Sequence, residues 1–163
     1  MNNSDADILI DNCNIELRKI EMIINGMGPL SNVVPYLTRY SIIKSCGTIE
    51  QCFKTIISDF CSTSNSAQAN TYIDTKFRNS SMNPSYENIC KSLKEFDAQW
   101  TTEFKEKIKE ITNHKKALQS LSSLNEARNE FAHGGTPTVT FDNVLEYFRD
   151  SILVIEKLDI VVS

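Results

Sequence analysis

Apolar residues return every three or four positions through most of this chain, in long runs separated by short polar breaks. Ile8, Leu9, Ile15, Leu17, Ile20, Met22, Ile23 and Met27 form the first run, the step expected of an amphipathic helix. Ser4 or Asp5 is placed to cap it, and Gly26, Gly28 and Pro29 end it. A second run extends from about residue 31 to about residue 61, with Pro35 in its first turn, where a missing N–H does no harm. It carries Tyr36, Leu37, Tyr40, Ile42, Ile43, Cys46, Ile49, Cys52, Phe53, Ile56, Ile57 and Phe60, the longest apolar stripe in the chain. This run reads as the central scaffold helix.

The middle of the chain is less regular. Tyr72, Ile73 and Phe77 suggest a short helix, and the segment from Asn79 to Ser85 breaks the pattern. Asn83 or Ser85 can cap the next helix, with Pro84 near its first turn. Ile89, Leu93, Phe96, Trp100, Phe104, Ile108 and Ile111 then follow at helical steps, with Asp97 as a candidate break into two helices. Leu118, Leu121, Leu124, Ala127 and Phe131 mark a helix from Ala117 to His133, closed by Gly134 and Pro137. Thr140 caps a last helix carrying Val144, Tyr147, Phe148, Ile152, Ile155, Leu158 and Ile160. The expected fold class is all-α: one domain over residues 1–163, a bundle of four long helices with one or two short additional helices.

Composition narrows the function classes. The net charge of −4 counts against a protein that coats nucleic acid non-specifically, since that needs an excess of Lys and Arg to displace counterions. A local basic site remains open: residues 105–116 hold Lys105, Lys107, Lys109, Lys115 and Lys116 against Glu106 and Glu110. They read either as a solvated, ion-paired helix face or as a phosphate-attracting patch, with Lys115 and Lys116 as the candidate RNA contacts. The five cysteines have no C-x-x-C pair and suit free buried thiols in a reducing compartment. The two histidines, His114 and His133, lie far from them, so no metal site and no cofactor is expected. A phosphate-cradling glycine loop is missing, as is any signature that would make Cys46 or Cys52 a nucleophile. The polar N-terminal residues lack a signal-peptide pattern and no run is long enough to span a membrane, so the default location is cytoplasmic.

Candidate chemistry concentrates between Ala127 and Gly135. Arg128 falls on the apolar stripe of its helix, unexpected for a charge that is rarely buried without a partner. His133 follows five residues later, rotated by roughly 140° and displaced by about 7.5 Å along the axis. Asn129 and Glu130, four and three residues before His133, share its side of the helix. Within one helix Arg128 and His133 do not converge; two copies of the helix end related by a two-fold axis would bring two arginines and two histidines into one cleft.

The segment Arg128-Asn129-Glu130-Phe131-Ala132-His133 resembles the R-x4-6-H motif of the HEPN superfamily. Asn129 after the arginine, with Gly134 and Gly135 after the histidine, resembles the R-N-x-x-A-H-G form of its RiboL-PSP-type branch. The run from Arg39 to Glu50 is similar to the family's long second helix. The resemblance implies a metal-independent endoribonuclease working as a homodimer, with an active site shared between protomers. His133 would act as general base on the RNA 2′-OH or as general acid on the leaving oxygen. Arg128 would brace the phosphorane charge, and Asn129 would orient the histidine or a phosphate oxygen. The products would be a 2′,3′-cyclic phosphate and a 5′-hydroxyl. Such a protein would be a toxin or phage-defence effector with an antitoxin or regulatory partner. The other reading is a non-catalytic HEPN module that binds RNA, nucleotide or protein, which the acidic net charge favours.

Overall fold

Seven α-helices and one π turn make up the secondary structure in the computed structural model, which describes residues 1–63 and 65–162. They are α1 (Ser4–Met27), α2 (Val34–Ser62), α3 (Ala67–Ile73), a π turn (Asp74–Arg78), α4 (Tyr86–Phe96), α5 (Ala98–Lys109), α6 (His114–Ala132) and α7 (Phe141–Val161). No strand occurs among the described residues. The four long helices are α1, α2, α6 and α7; three shorter helices and the π turn fill the middle, one more helix than the pattern suggested.

Local chemistry accounts for most boundaries. The α1 cap is Asn3 rather than Ser4 or Asp5, its side chain accepting from the Ala6 N–H at 2.8 Å. Gly28, at φ +85°, takes the chain out of α1. Pro35 sits in the first turn of α2. Asp97 is indeed a break: it is extended, ends α4 and caps α5 through Gln99 N–H. Ser85 caps α4, so Pro84 lies just ahead of that helix and outside its first turn. Thr140 and Asn143 form a reciprocal capping box at the start of α7, satisfying two otherwise orphaned N–H groups. Val161 and Val162 are buried, so the apolar tail is docked up to that point; Ser163 and Ser64 lie outside the described residues.

Helix α2 runs through the centre, packed on α1, α6, α7 and the π turn. From Thr48 to Ser58 almost every side chain is buried, including Ile49, Phe53, Ile56 and Ile57. A helix buried on all sides needs its polar groups paired. Lys54, with no exposed side-chain surface, donates to Glu50 Oε1 at 2.6 Å and to the Ser80 carbonyl. Glu50 also accepts from Met82 N–H at 3.0 Å. This buried pair fastens the segment after the π turn to α2. Phe77 of the π turn stands edge-on between Phe53 and Phe96, at 5.8 and 5.0 Å between ring centroids.

The helical period predicted more burial than the fold uses. In α1 the buried set is Ala6, Ile10, Cys13, Leu17, Ile20 and Ile24, while Ile8, Ile15, Met22, Ile23 and Met27 are exposed. Tyr36, Tyr40 and Ile43 of α2 are exposed as well. Apolar residues occupy a wider arc on these helices than one neighbour can cover. No helix among the described residues is long and apolar enough to cross a membrane.

Candidate active site

The C-terminal half of α6 is anchored from below by a residue the sequence pattern does not single out. Asn125 is 4% exposed. Its amide donates to the Pro84 carbonyl at 3.1 Å and to the Leu121 carbonyl at 2.9 Å, and its oxygen accepts from the Cys46 thiol at 3.2 Å. One side chain thus ties α6 to α2 and to the segment that the Glu50–Lys54 pair holds in place. Burial pushes the Cys46 thiol up to about 12, against the opposing pull of the Arg128 charge. A buried, protonated thiol is no nucleophile.

Arg128 comes three residues after Asn125, near the Cys46 side of α6, and is half-buried. Its Nη1 donates to Asn129 Oδ1 at 3.1 Å. No ion pair to Arg128 forms among the described residues. The side-chain oxygen of Asn129 thus faces Arg128, its sequence neighbour, and its amide nitrogen remains able to donate to a phosphate oxygen. The Asn129 carbonyl accepts from His133 N–H at 3.0 Å.

His133 is the residue at which α6 stops, with φ −91° and ψ 15°. Gly134 N–H donates to Phe131 O at 3.0 Å and Gly135 N–H to Glu130 O at 2.8 Å. With Gly134 at φ +83°, this is a Schellman cap, the ending the glycine pair predicted. Gly135 is needed for a second reason: a Cβ there would lie 2.9 Å from Glu130 O and 2.6 Å from Glu130 Cγ. The cap presents the His133 side chain to solvent, without a side-chain partner among the described residues.

The structure adds Arg39. Helices α2 and α6 run antiparallel, with Cys46 opposite Asn125 and Arg39 opposite Phe131. The Arg39 guanidinium carbon lies 5.7 Å from the Tyr36 ring centroid and 5.9 Å from that of Phe131. It forms no ion pair among the described residues. The available hint was the Tyr36–Arg39 spacing of one turn; its placement beside Phe131 is a tertiary fact.

The lysines go elsewhere. Lys115 and Lys116 lie in the first turn of α6, about 25 Å along the helix from His133 at 1.5 Å per residue. Lys116 is held by Glu146 at 2.8 Å and Asp150 at 3.6 Å, and these carboxylates raise its pKa. Lys107 pairs with Glu110 and Lys109 with Glu106. The basic run is mainly a paired helix face, and within one chain Lys115 and Lys116 are not brought to Arg128, Asn129 and His133. His114 starts α6 and is equally remote.

Arg128, Asn129, His133 and Arg39 therefore gather at one end of the bundle, where α6 stops and α2 begins. A cation with no carboxylate partner among the described residues, on the helix end that also carries an exposed imidazole, suits an anionic ligand and proton transfer. Residues 11–163 match a family model described as RiboL-PSP-HEPN, a span holding the whole Arg128–His133 segment. Comparison with curated proteins and with solved structures found no match.

Proposed function

The chain belongs to the RiboL-PSP-HEPN family, and from that premise we propose that it is a metal-independent endoribonuclease whose active site is shared across a homodimer. The observation that carries this reading is an arginine with no carboxylate partner among the described residues, on the same helix end as an exposed histidine set on a Schellman cap. In one chain His133 supplies one proton-transfer group. Cleavage through the RNA 2′-OH needs two: a base for the hydroxyl and an acid for the departing 5′ oxygen. Two copies of the α6 end supply both, and the two Arg128 side chains stabilise the phosphorane between them. The products are a 2′,3′-cyclic phosphate and a 5′-hydroxyl. Tyr36 and Ile43, exposed on α2 at 68% and 41%, give the same end an apolar surface for a second copy. The biological role in this reading is a toxin or phage-defence effector, restrained by an antitoxin or regulatory partner.

The alternative is a non-catalytic RNA-, nucleotide- or protein-binding module, favoured by the net charge of −4 and by the pairing of Lys116 away from the site. Incubating the protein with total RNA in EDTA, beside His133→Ala, separates the two. The ribonuclease reading expects new cyclic-phosphate ends, reduced about 10²–10⁴-fold in the variant, and a dimer on sedimentation. RNA cleaved equally by His133→Ala, or binding without new ends, rejects it.

A further inference from the structure

A cavity of about 710 Å³ opens at the same end of the bundle, between α1, α2 and the 136–142 segment that follows the His133 cap. Its volume lies within the range of small-molecule sites, roughly 300–1,000 Å³. Pro29, Val34 and Val139 give it apolar walls, and Asn25, Glu21 and Asp142 supply the polar positions. Arg39 also lines it.

These features constrain the occupant. Apolar walls with a few hydrogen-bonding groups suit a heteroaromatic ring. Carboxylates at Glu21 and Asp142 accept hydrogen bonds and repel an anion, so an anionic ligand must keep its charge outside. Arg39, stacked between Tyr36 and Phe131 and free of ion pairs among the described residues, is where that charge would be held. Phe131 is two residues before His133, and Thr136 directly follows the glycine pair. A ligand with its ring in the cavity and its phosphate at Arg39 would therefore sit at the end of the bundle where α6 stops.

We infer that this cavity holds the base of a ribonucleotide beside the scissile phosphate, with Arg39 on the backbone, and that its carboxylates favour guanine, whose N1–H and 2-amino group offer two adjacent donors, over uracil, which offers one. The inference rests on the ribonuclease reading for the identity of its ligand as a base of RNA.

Two measurements test it and keep its failure separate from that of the ribonuclease reading. In the first, isotope-labelled full-length protein is titrated by NMR with 3′-AMP, 3′-CMP, 3′-GMP and 3′-UMP, which needs no cleavage. Amide shifts are expected at Asn25, Thr138 and Val139, with 3′-UMP weaker than 3′-GMP by about fivefold, the worth of one hydrogen bond. Thr138→Trp, and separately Thr136→Trp, fill the cavity from exposed positions; each is expected to weaken the best binder at least about tenfold with the melting transition retained. No shifts, shifts centred elsewhere, or unchanged binding by both folded tryptophan variants would overturn the inference. In the second, a randomised oligoribonucleotide is cleaved in EDTA. Glu21→Gln with Asp142→Asn is expected to reduce discrimination against uridine beside the cut to under about twofold while cleavage persists; an unaltered preference counts against the cavity. Cleavage by wild type without nucleotide shifts leaves the ribonuclease reading standing and removes this one. Nucleotide shifts without cleavage do the reverse and leave a nucleotide site.

Discussion

Replacing Gly135 with alanine tests whether the glycine pair, and not only the Arg/His motif, sets the position of His133. The added Cβ would meet Glu130 Cγ at 2.6 Å and Glu130 O at 2.9 Å. The first contact is soft, since Glu130 is exposed and its side chain can swing aside. The second is not: that oxygen belongs to the α6 backbone and already accepts from Gly135 N–H at 2.8 Å. Relieving it means lengthening or breaking that bond, for about 0.5–1.5 kcal/mol, plus local backbone strain of about 1 kcal/mol. A total near ~2 kcal/mol corresponds to a fall of roughly 4–8 °C in melting temperature for a chain of this size. Under the proposed ribonuclease function the effect on catalysis should be larger, because the last turn of α6 loses the tie that closes it and a displacement of about 1 Å at a reacting group can cost ~10²-fold. Circular-dichroism melts and RNA cleavage in EDTA should therefore diverge: a modest loss of stability and roughly a hundredfold loss of rate. Glu130→Ala added to Gly135→Ala removes only the soft contact, so the double variant should stay impaired. A Gly135→Ala protein with an unchanged melt and full activity would refute the reasoning. Rescue by Glu130→Ala would show that the side chain, not the carbonyl, is the obstacle.

Three further outcomes follow from the interior. Asn125→Asp should be less stable than Asn125→Ala in urea titrations, because it points a carboxylate oxygen at the Pro84 and Leu121 carbonyls, whereas alanine leaves Pro84 O and the weak Cys46 thiol donor unpaired, at about 1–3 kcal/mol. Lys54→Met alone should cost about 3–5 kcal/mol by stranding Glu50, and Glu50→Gln added to it should recover part of that loss; equal stability of the two would contradict a buried ion pair. Burial pushes the Cys46 and Cys52 thiols up to about 12 from an ordinary 9.0, so above about pH 9 the unfolded chain releases protons that the folded chain keeps. Stability should then be intact below that pH and fall between about 9 and about 12, by up to ~1.4 kcal/mol per pH unit per thiol, and Cys52→Ala should flatten the slope.

The features legible in advance were those whose physics is local. Pro35, Asp97, Thr140 and Gly134 act through their own φ/ψ or through hydrogen bonds to residues three or four away, so helix starts and stops could be read beside them. The α1 cap was misplaced by one or two residues because Asn3, Ser4 and Asp5 all carry a suitable oxygen, and the choice falls to tertiary neighbours: Asn3 is held by Asp159 of α7 and Asp59 of α2. Asn129, which the family resemblance implies orients the histidine or a phosphate oxygen, has its side-chain oxygen on Arg128; helical spacing places side chains on a face but does not rank competing partners.

The all-α architecture, the long helices and the Arg128–His133 motif were thus present in the order of residues, because a 3.6-residue period and a glycine after a helix need no distant partner to take effect. Folding alone decided which apolar arcs are covered and that Asn125 carries α6 on α2 and Pro84. It also decided that Arg39 stands beside Phe131 and that Lys115 and Lys116 lie at the far end of α6. Each of those depends on antiparallel contacts between residues tens of positions apart, Cys46 with Asn125 and Arg39 with Phe131 among them, and a contact of that kind has no local signature.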